Sequence, residues 1–118
     1  MEIVIRDLIK VSSNKIYAGM HWTARKRLKD NYLMITSPFK RMCPIDEKVD
    51  LDFKFYFTKN VLDSSNCSFL AKMLEDCLVH HGVLKDDSIK YVGRVSIQSF
   101  KSEEKESDYC VININLEI

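Results

Sequence analysis

The sequence predicts an α+β fold, a single domain over residues 1–118 with two helices packed on a mixed, mainly antiparallel β-sheet. Three observations predict it. Val49 to Thr58 alternates strictly, with Leu51, Phe53, Phe55 and Phe57 on one side and Asp50, Asp52, Lys54 and Tyr56 on the other. Residues 66–80 place Phe69, Leu70, Met73, Leu74, Cys77 and Leu78 on one broad apolar helix face. The order β, α, β, α, β, β then runs to the end without an internal repeat or a Pro- and Gly-rich linker.

Each element follows from its residues. Residues 2–8 read as a short strand with Ile3 and Ile5 on one face, and Val11 to Lys15 as a turn or loop, with a further break at Gly19. From Trp22 the spacing becomes helical, with Leu28, Tyr32 and Ile35 recurring and Thr23 as the expected N-cap. That helix should end before Pro38, because the residue preceding proline is pushed out of the helical region. Pro44 and Asp46–Lys48 make a loop, and Gly82 is expected to cap the second helix after His80-His81. Tyr91 to Phe100 and Tyr109 to Ile118 are the last two strands, with Ile112, Ile114, Leu116 and Ile118 on one face. The hydrophilic run Lys101–Asp108 should join these two strands as a hairpin.

Composition narrows the class. With 118 residues, 46% of them hydrophobic, the chain can bury roughly two-thirds of its unfolded surface, enough for a core without disulfides. Three Gly and two Pro exclude collagen-like and low-complexity readings. No apolar run approaches the ~18 residues of a membrane span, and Met1 to Lys10 lacks the apolar stretch of a signal peptide. A cytoplasmic protein with no membrane partner is the expectation. Cys43, Cys67, Cys77 and Cys110 form no C-x-x-C pair and are expected as reduced thiols, with Cys77 and Cys110 in apolar patterns.

The net charge of +1 hides an asymmetry: residues 1–48 carry +5 and residues 49–118 carry −4. A polyanion footprint beside a cation site would give this pattern, and so would an unevenly charged solvated surface. Arg25, Lys26, Arg27 and Lys29 are dense enough to grip phosphates, or form a solvated helix face. Trp22 and Tyr17 flank them and could stack on bases, although a lone Trp more often packs in a core.

The segment from Thr58 to Tyr91 is the most informative for chemistry. If the helix packs back, Asp63, Asp86 and Asp87 converge as hard oxygen ligands, and clustered carboxylates repel unless a cation compensates. Asp63 or Ser65 would equally serve as an N-cap, and Asp86-Asp87 as a turn. Lys72 sits beside the apolar face, where it could contact a scissile phosphate or simply pair with Asp76. His80-His81 reads as a helix end favoured by the dipole. Phosphate-cradling glycine loops and the G-x-S-x-G elbow are absent.

Two segments together resemble the RusA family of Holliday junction resolvases, in particular its phage and prophage members. Ser13-Asn14-Lys15-Ile16-Tyr17 leading through Trp22 into Arg25-Lys26-Arg27 is similar to the family's Ser-Asn-x-x-Tyr segment and following basic helix. Asp63-x-x-Asn66, Lys72-x-x-x-Asp76, Gly82-Val83-Leu84 and Asp86-Asp87 are similar to its Asp-x-Asp-Asn turn, lysine-bearing helix and Gly-(apolar)-x-Asp-Asp turn. The resemblance implies a RusA-like domain and a homodimeric, Mg²⁺-dependent endonuclease, with Mn²⁺ as a substitute, that nicks opposed strands of four-way DNA junctions. It implies Asp63 and Asp87 as catalytic metal ligands, Asp86 assisting, and Lys72 stabilising phosphate charge. DNA would be held by Asn14, Lys15, Tyr17, Arg25, Lys26, Arg27 and Lys29. Two departures stand out. Ser65 occupies the place of the second Asp, and the Asn66–Lys72 gap is longer by about one helical turn. Asp76 is the expected replacement ligand, because Glu75 is expected to point away from the edge that carries Lys72 and Asp76. Competing readings are a DNA-binding module of the same fold without cleavage, and a protein-interaction domain that uses the acidic half.

Overall fold

Alternation decides the centre of the molecule. In the computed structural model, which describes residues 1–41, 44–103 and 107–116, Val49–Phe57 forms strand β2, with Val49, Leu51, Phe53, Phe55 and Phe57 all buried. The intervening residues, Asp50 to Tyr56, are half-buried on the opposite face. The other strands are β1 (Glu2–Arg6), β3 (Val92–Lys101) and β4 (Tyr109–Leu116), in the spatial order β1-β4-β2-β3. β4 pairs antiparallel with both β1 and β2, while β3 pairs parallel with β2. The α+β fold with a mixed, mainly antiparallel sheet is therefore as expected.

The expected hairpin between the last two strands is not formed. β2 lies between β3 and β4, so the connection after Lys101 crosses the end of β2. The crossing is pinned by one main-chain bond and one side-chain bond: the Ser102 N–H donates to the Phe57 carbonyl (2.8 Å), and the Thr58 N–H donates to the Asp108 carboxylate at Oδ1 (2.9 Å). A sheet interior leaves two flanking positions beside β2. The helical crossover after β2 takes one of them for the parallel β3, which leaves β4 the other. Cys43, expected as a reduced thiol, and Glu117 and Ile118, expected at the end of the last strand, lie outside the described residues.

Three helices, one more than expected, accompany the sheet. Ser13–Tyr17 forms the short α1 where a loop is expected, started by the Ser12 hydroxyl accepting from the Lys15 N–H (3.2 Å). Trp22–Thr36 forms α2, capped by His21 rather than by Thr23, whose N–H donates to His21 Nδ1 (3.2 Å). It passes into a 3₁₀ turn over Ser37–Arg41 at Pro38, as expected. A second 3₁₀ turn, Ser64–Cys67, leads into α3, Ser68–His80.

Helix and sheet share one core. Leu70, Leu74 and Leu78 of α3, with Leu28 and Tyr32 of α2, are buried with Phe53, Phe55, Phe57, Ile112 and Ile3. Tyr32 is wholly buried, and its hydroxyl donates to the Ile9 carbonyl (2.9 Å), so burial leaves no polar atom unpaired there. Cys67, Cys77 and Cys110 are free buried thiols. Burial lifts the Cys67 thiol to about 11, and Cys110 is raised further by the same cause. They act as small hydrophobes.

Candidate functional site

The turn that carries Asp86 and Asp87 is set by how α3 ends. His81 is the C-cap, Gly82 follows at φ +79°, and the Gly82 N–H donates to Val79 O (3.0 Å) while the Val83 N–H donates to Leu78 O (2.9 Å). This is a Schellman motif, with buried Val83 and Leu78 as its apolar contact. His81 also ties the two helix ends together: its Nε2 lies 2.9 Å from Thr36 Oγ1 and 3.1 Å from the Leu33 carbonyl. His81 thus anchors the end of α2, a further role beside its place at the helix end.

The motif turns the chain back along α3, so that Asp87 meets Lys72. The Lys72 ammonium donates to Asp87 Oδ2, lies 3.2 Å from Asp76 Oδ1, and lies 3.9 Å from Glu75 Oε1. Three carboxylates thus converge on one cation, leaving a net charge of about −2 when all are ionised. The hydrogen bond and charge of Lys72 hold the Asp87 carboxyl below the usual carboxylate range. Asp87 in turn raises Lys72 above an ordinary ammonium. Asp86 does not face the cluster's cation. Its Oδ1 accepts from the Asp87 N–H (2.8 Å), fixing the turn that presents Asp87.

Two expectations for this cluster are corrected. Glu75 does not point away from Lys72: its side chain is 9% exposed, one turn along the helix from Lys72, and burial raises its pKa. Its position beside Ala71 and Leu78 of the apolar face, three residues past Lys72, is the signal that could have found it. Asp63 is not gathered into the cluster. It is exposed at the N-cap of the Ser64–Cys67 turn, about 15 Å of helix rise before Lys72, whose side chain reaches the other way toward Asp76. Ser65 is exposed in the same turn. Among the described residues, no three or more His, Cys, Asp or Glu side chains are arranged as a metal cage.

The basic residues of α2 divide between its two flanks. Arg25, Lys26 and Lys29 line a cavity of about 570 Å³ between α2 and α3, and Lys72 and Asp76 line it as well. Its floor is apolar: Leu33 from α2, with Phe69, Met73, Cys77 and Val79 from α3. The Arg25 guanidinium stands over the Phe69 ring, 5.8 Å from its centre. Lys26 also pairs with Asp30 (3.1 Å). Arg27 lies on the opposite flank, in a shallower hollow with Val11, Met20 and Asn31.

The Ser-Asn-x-x-Tyr segment has a structural and an exposed part. Ser13, 4% exposed, accepts from the Phe69 N–H (3.1 Å) and lies 3.0 Å from Ser68 Oγ, so its hydroxyl caps α3 from another element. That role is not legible from spacing. Asn14 and Lys15 are exposed on α1, and Tyr17 and Trp22 stand out at 74% and 68% exposure around the Gly19 turn. Trp22 is therefore not a core residue; its ring stacks only on neighbouring His21 among the described residues. No described helix is long and apolar enough to cross a membrane. Comparison with protein-family models and with curated proteins returns no match.

Proposed function

We propose that the chain is a structure-selective endodeoxyribonuclease that acts as a homodimer on four-way DNA junctions and depends on Mg²⁺, with Mn²⁺ as a substitute. One observation carries the reading: Lys72 and Asp76 of the acidic cluster line the same cavity as Arg25, Lys26 and Lys29. A strand held by its phosphates along α2 therefore passes Lys72 and the Glu75, Asp76 and Asp87 carboxylates around it.

The donor chemistry fits a hard divalent ion. Asp76 and Asp87 are carboxylates on one point, and Mg²⁺ is commonly held by one or two carboxylates plus water and substrate phosphate, without a preformed protein cage. Those two residues, with Glu75 beside them, would hold it. When bound, such an ion supplies a Lewis acid and a water activated for attack on phosphorus. Lys72 binds the phosphate that competes for its ammonium and offsets charge developing on the non-bridging oxygens. Asp86 keeps Asp87 oriented through its main-chain N–H. A two-fold dimer suits a substrate cut symmetrically on opposed strands.

A second reading, binding of branched DNA without cleavage, is favoured by the separation of Asp63 from the cluster and by Ser65 in place of the family's Asp. Cleavage of an end-labelled four-way junction, beside linear duplex of the same sequence and with Mg²⁺ or EDTA, tests both. Paired nicks in the junction only, lost in EDTA, are expected. Tight junction binding with no cut under Mg²⁺ or Mn²⁺ would give the second reading the preference, and equal binding of duplex and junction would overturn both.

A further inference from the structure

The cavity between α2 and α3 has a floor that backbone binding does not require. Phosphate contacts need cations on an open surface, whereas Leu33, Phe69, Met73 and Cys77 make an apolar, partly enclosed hollow beneath those cations. Its volume, about 570 Å³, lies within the ~300–1,000 Å³ of pockets that enclose an organic ligand. Four cations (Arg25, Lys26, Lys29 and Lys72) and a single carboxylate (Asp76) line it together with His80. An apolar body below and an anionic group at the mouth suit a nucleotide, whose base and phosphate are divided in that way.

We infer that this cavity takes one DNA base extruded from the stack, with its flanking phosphates on Arg25 and Lys29 and the base against Phe69 and Met73. The inference rests on the junction-binding reading above and deepens it, because Lys72 belongs to both the cavity and the acidic cluster. A phosphate drawn to Lys72 places its neighbouring base at the cavity mouth. Extruding a base is costly in a continuous duplex and least so where stacking is already interrupted. A branch point is such a place, so the cavity gives the protein a means of choosing a branch over a duplex. Base contacts in the cavity are apolar and need not distinguish one base from another.

The test uses the full chain and a four-way junction with 2-aminopurine placed, one position at a time, at the branch-point nucleotides. Binding of the unaltered protein is expected to raise fluorescence several-fold at one position in each of two opposed strands. Leu33→Trp, which projects an indole ring into the cavity from α2, is expected to abolish that rise while the salt dependence of binding persists. Where circular dichroism shows that this variant does not fold, Val79→Trp obstructs the same cavity from α3. Junction binding with no fluorescence change at any position would overturn the inference and leave the function standing. So would a rise that survives filling. If filling instead converts a dimer to a monomer in sedimentation, the cavity is an interface between copies and the inference fails. Failure to bind the junction at all would remove the function first.

Discussion

Lys72, in the second turn of α3, holds Asp87, fifteen residues later in the turn that follows the helix. The pair is only partly buried, with Lys72 55% and Asp87 37% exposed, so its worth to folding is small, at most about 1 kcal/mol. Its effect on charge state is larger. The folded Asp87 carboxyl is depressed, so its contribution is present above the ordinary carboxylate pKa and lost as pH falls through the lower folded value. Lys72 is raised, so its contribution is present below the ordinary lysine value and lost only as pH rises past it. The pair therefore contributes in full from about pH 5 to about pH 10, and it outlasts both limits because Asp87 is depressed and Lys72 is raised.

Asp87→Asn and Lys72→Ala are expected to abolish junction cleavage while leaving junction affinity within about threefold, a difference of less than about 1 kcal/mol. Gel-shift and cleavage assays on the same preparations check this. Loss of binding together with cleavage would make both residues structural.

Glu75 yields a prediction of opposite sign. Burial raises its folded pKa, so the folded state takes up a proton more readily than the unfolded chain. Its contribution is present below the ordinary glutamate value of about 4.3 and lost as pH rises through the folded value. Glu75→Gln should accordingly raise the melting temperature at pH 7 and change it little at pH 4. A lower melting temperature at pH 7 would show that attraction to Lys72 outweighs the cost of burial.

The two flanks of α2 can be told apart by salt. Replacing Arg25, Lys26 and Lys29 with Ala should weaken junction binding and reduce the slope of log K against log salt by about 0.9 for each phosphate no longer neutralised. Arg27→Ala, on the other flank, should leave the slope unchanged. Equal effects would mean that DNA wraps both sides of the helix.

Gly82→Ala isolates the backbone. A Cβ at Gly82 would meet nothing within 4 Å, so the cost is that of φ +79° alone, roughly 1–2 kcal/mol by chemical denaturation. Because the same turn leads to Asp87, cleavage should fall further than stability does.

What the sequence discloses depends on how local its cause is. Phe53, Phe55 and Phe57 declare a strand because alternation is a property of consecutive residues, and Gly82 declares its cap because only a left-handed turn asks for it there. The partner of β3 is not declared by any residue in it: pairing parallel to β2 is a consequence of the crossover through α3. Lys72, Asp76 and Asp87 are legible as a set, yet Glu75 joins them through a helix rotation that a coarse two-sided wheel misassigns. Ser13 is legible as a turn residue but not as the cap of a helix fifty-five residues away, because long-range caps leave no spacing to read.

β1 pairs with β4 alone, Glu2 opposite Asn113 and Arg6 opposite Tyr109. During synthesis the first strand emerges with no partner and must wait for about a hundred residues before its hydrogen bonds can form. Both flanks of β2 are likewise filled by later segments, so the sheet cannot grow outward as a hairpin. Contacts this distant along the chain close slowly, and the expected refolding time is milliseconds to seconds rather than the microseconds of a helical bundle. In that interval Ile3 and Ile5 are apolar strand residues in search of an edge. Charged Glu2, Arg6 and Asp7 beside them are then what keeps a half-made chain from pairing with another.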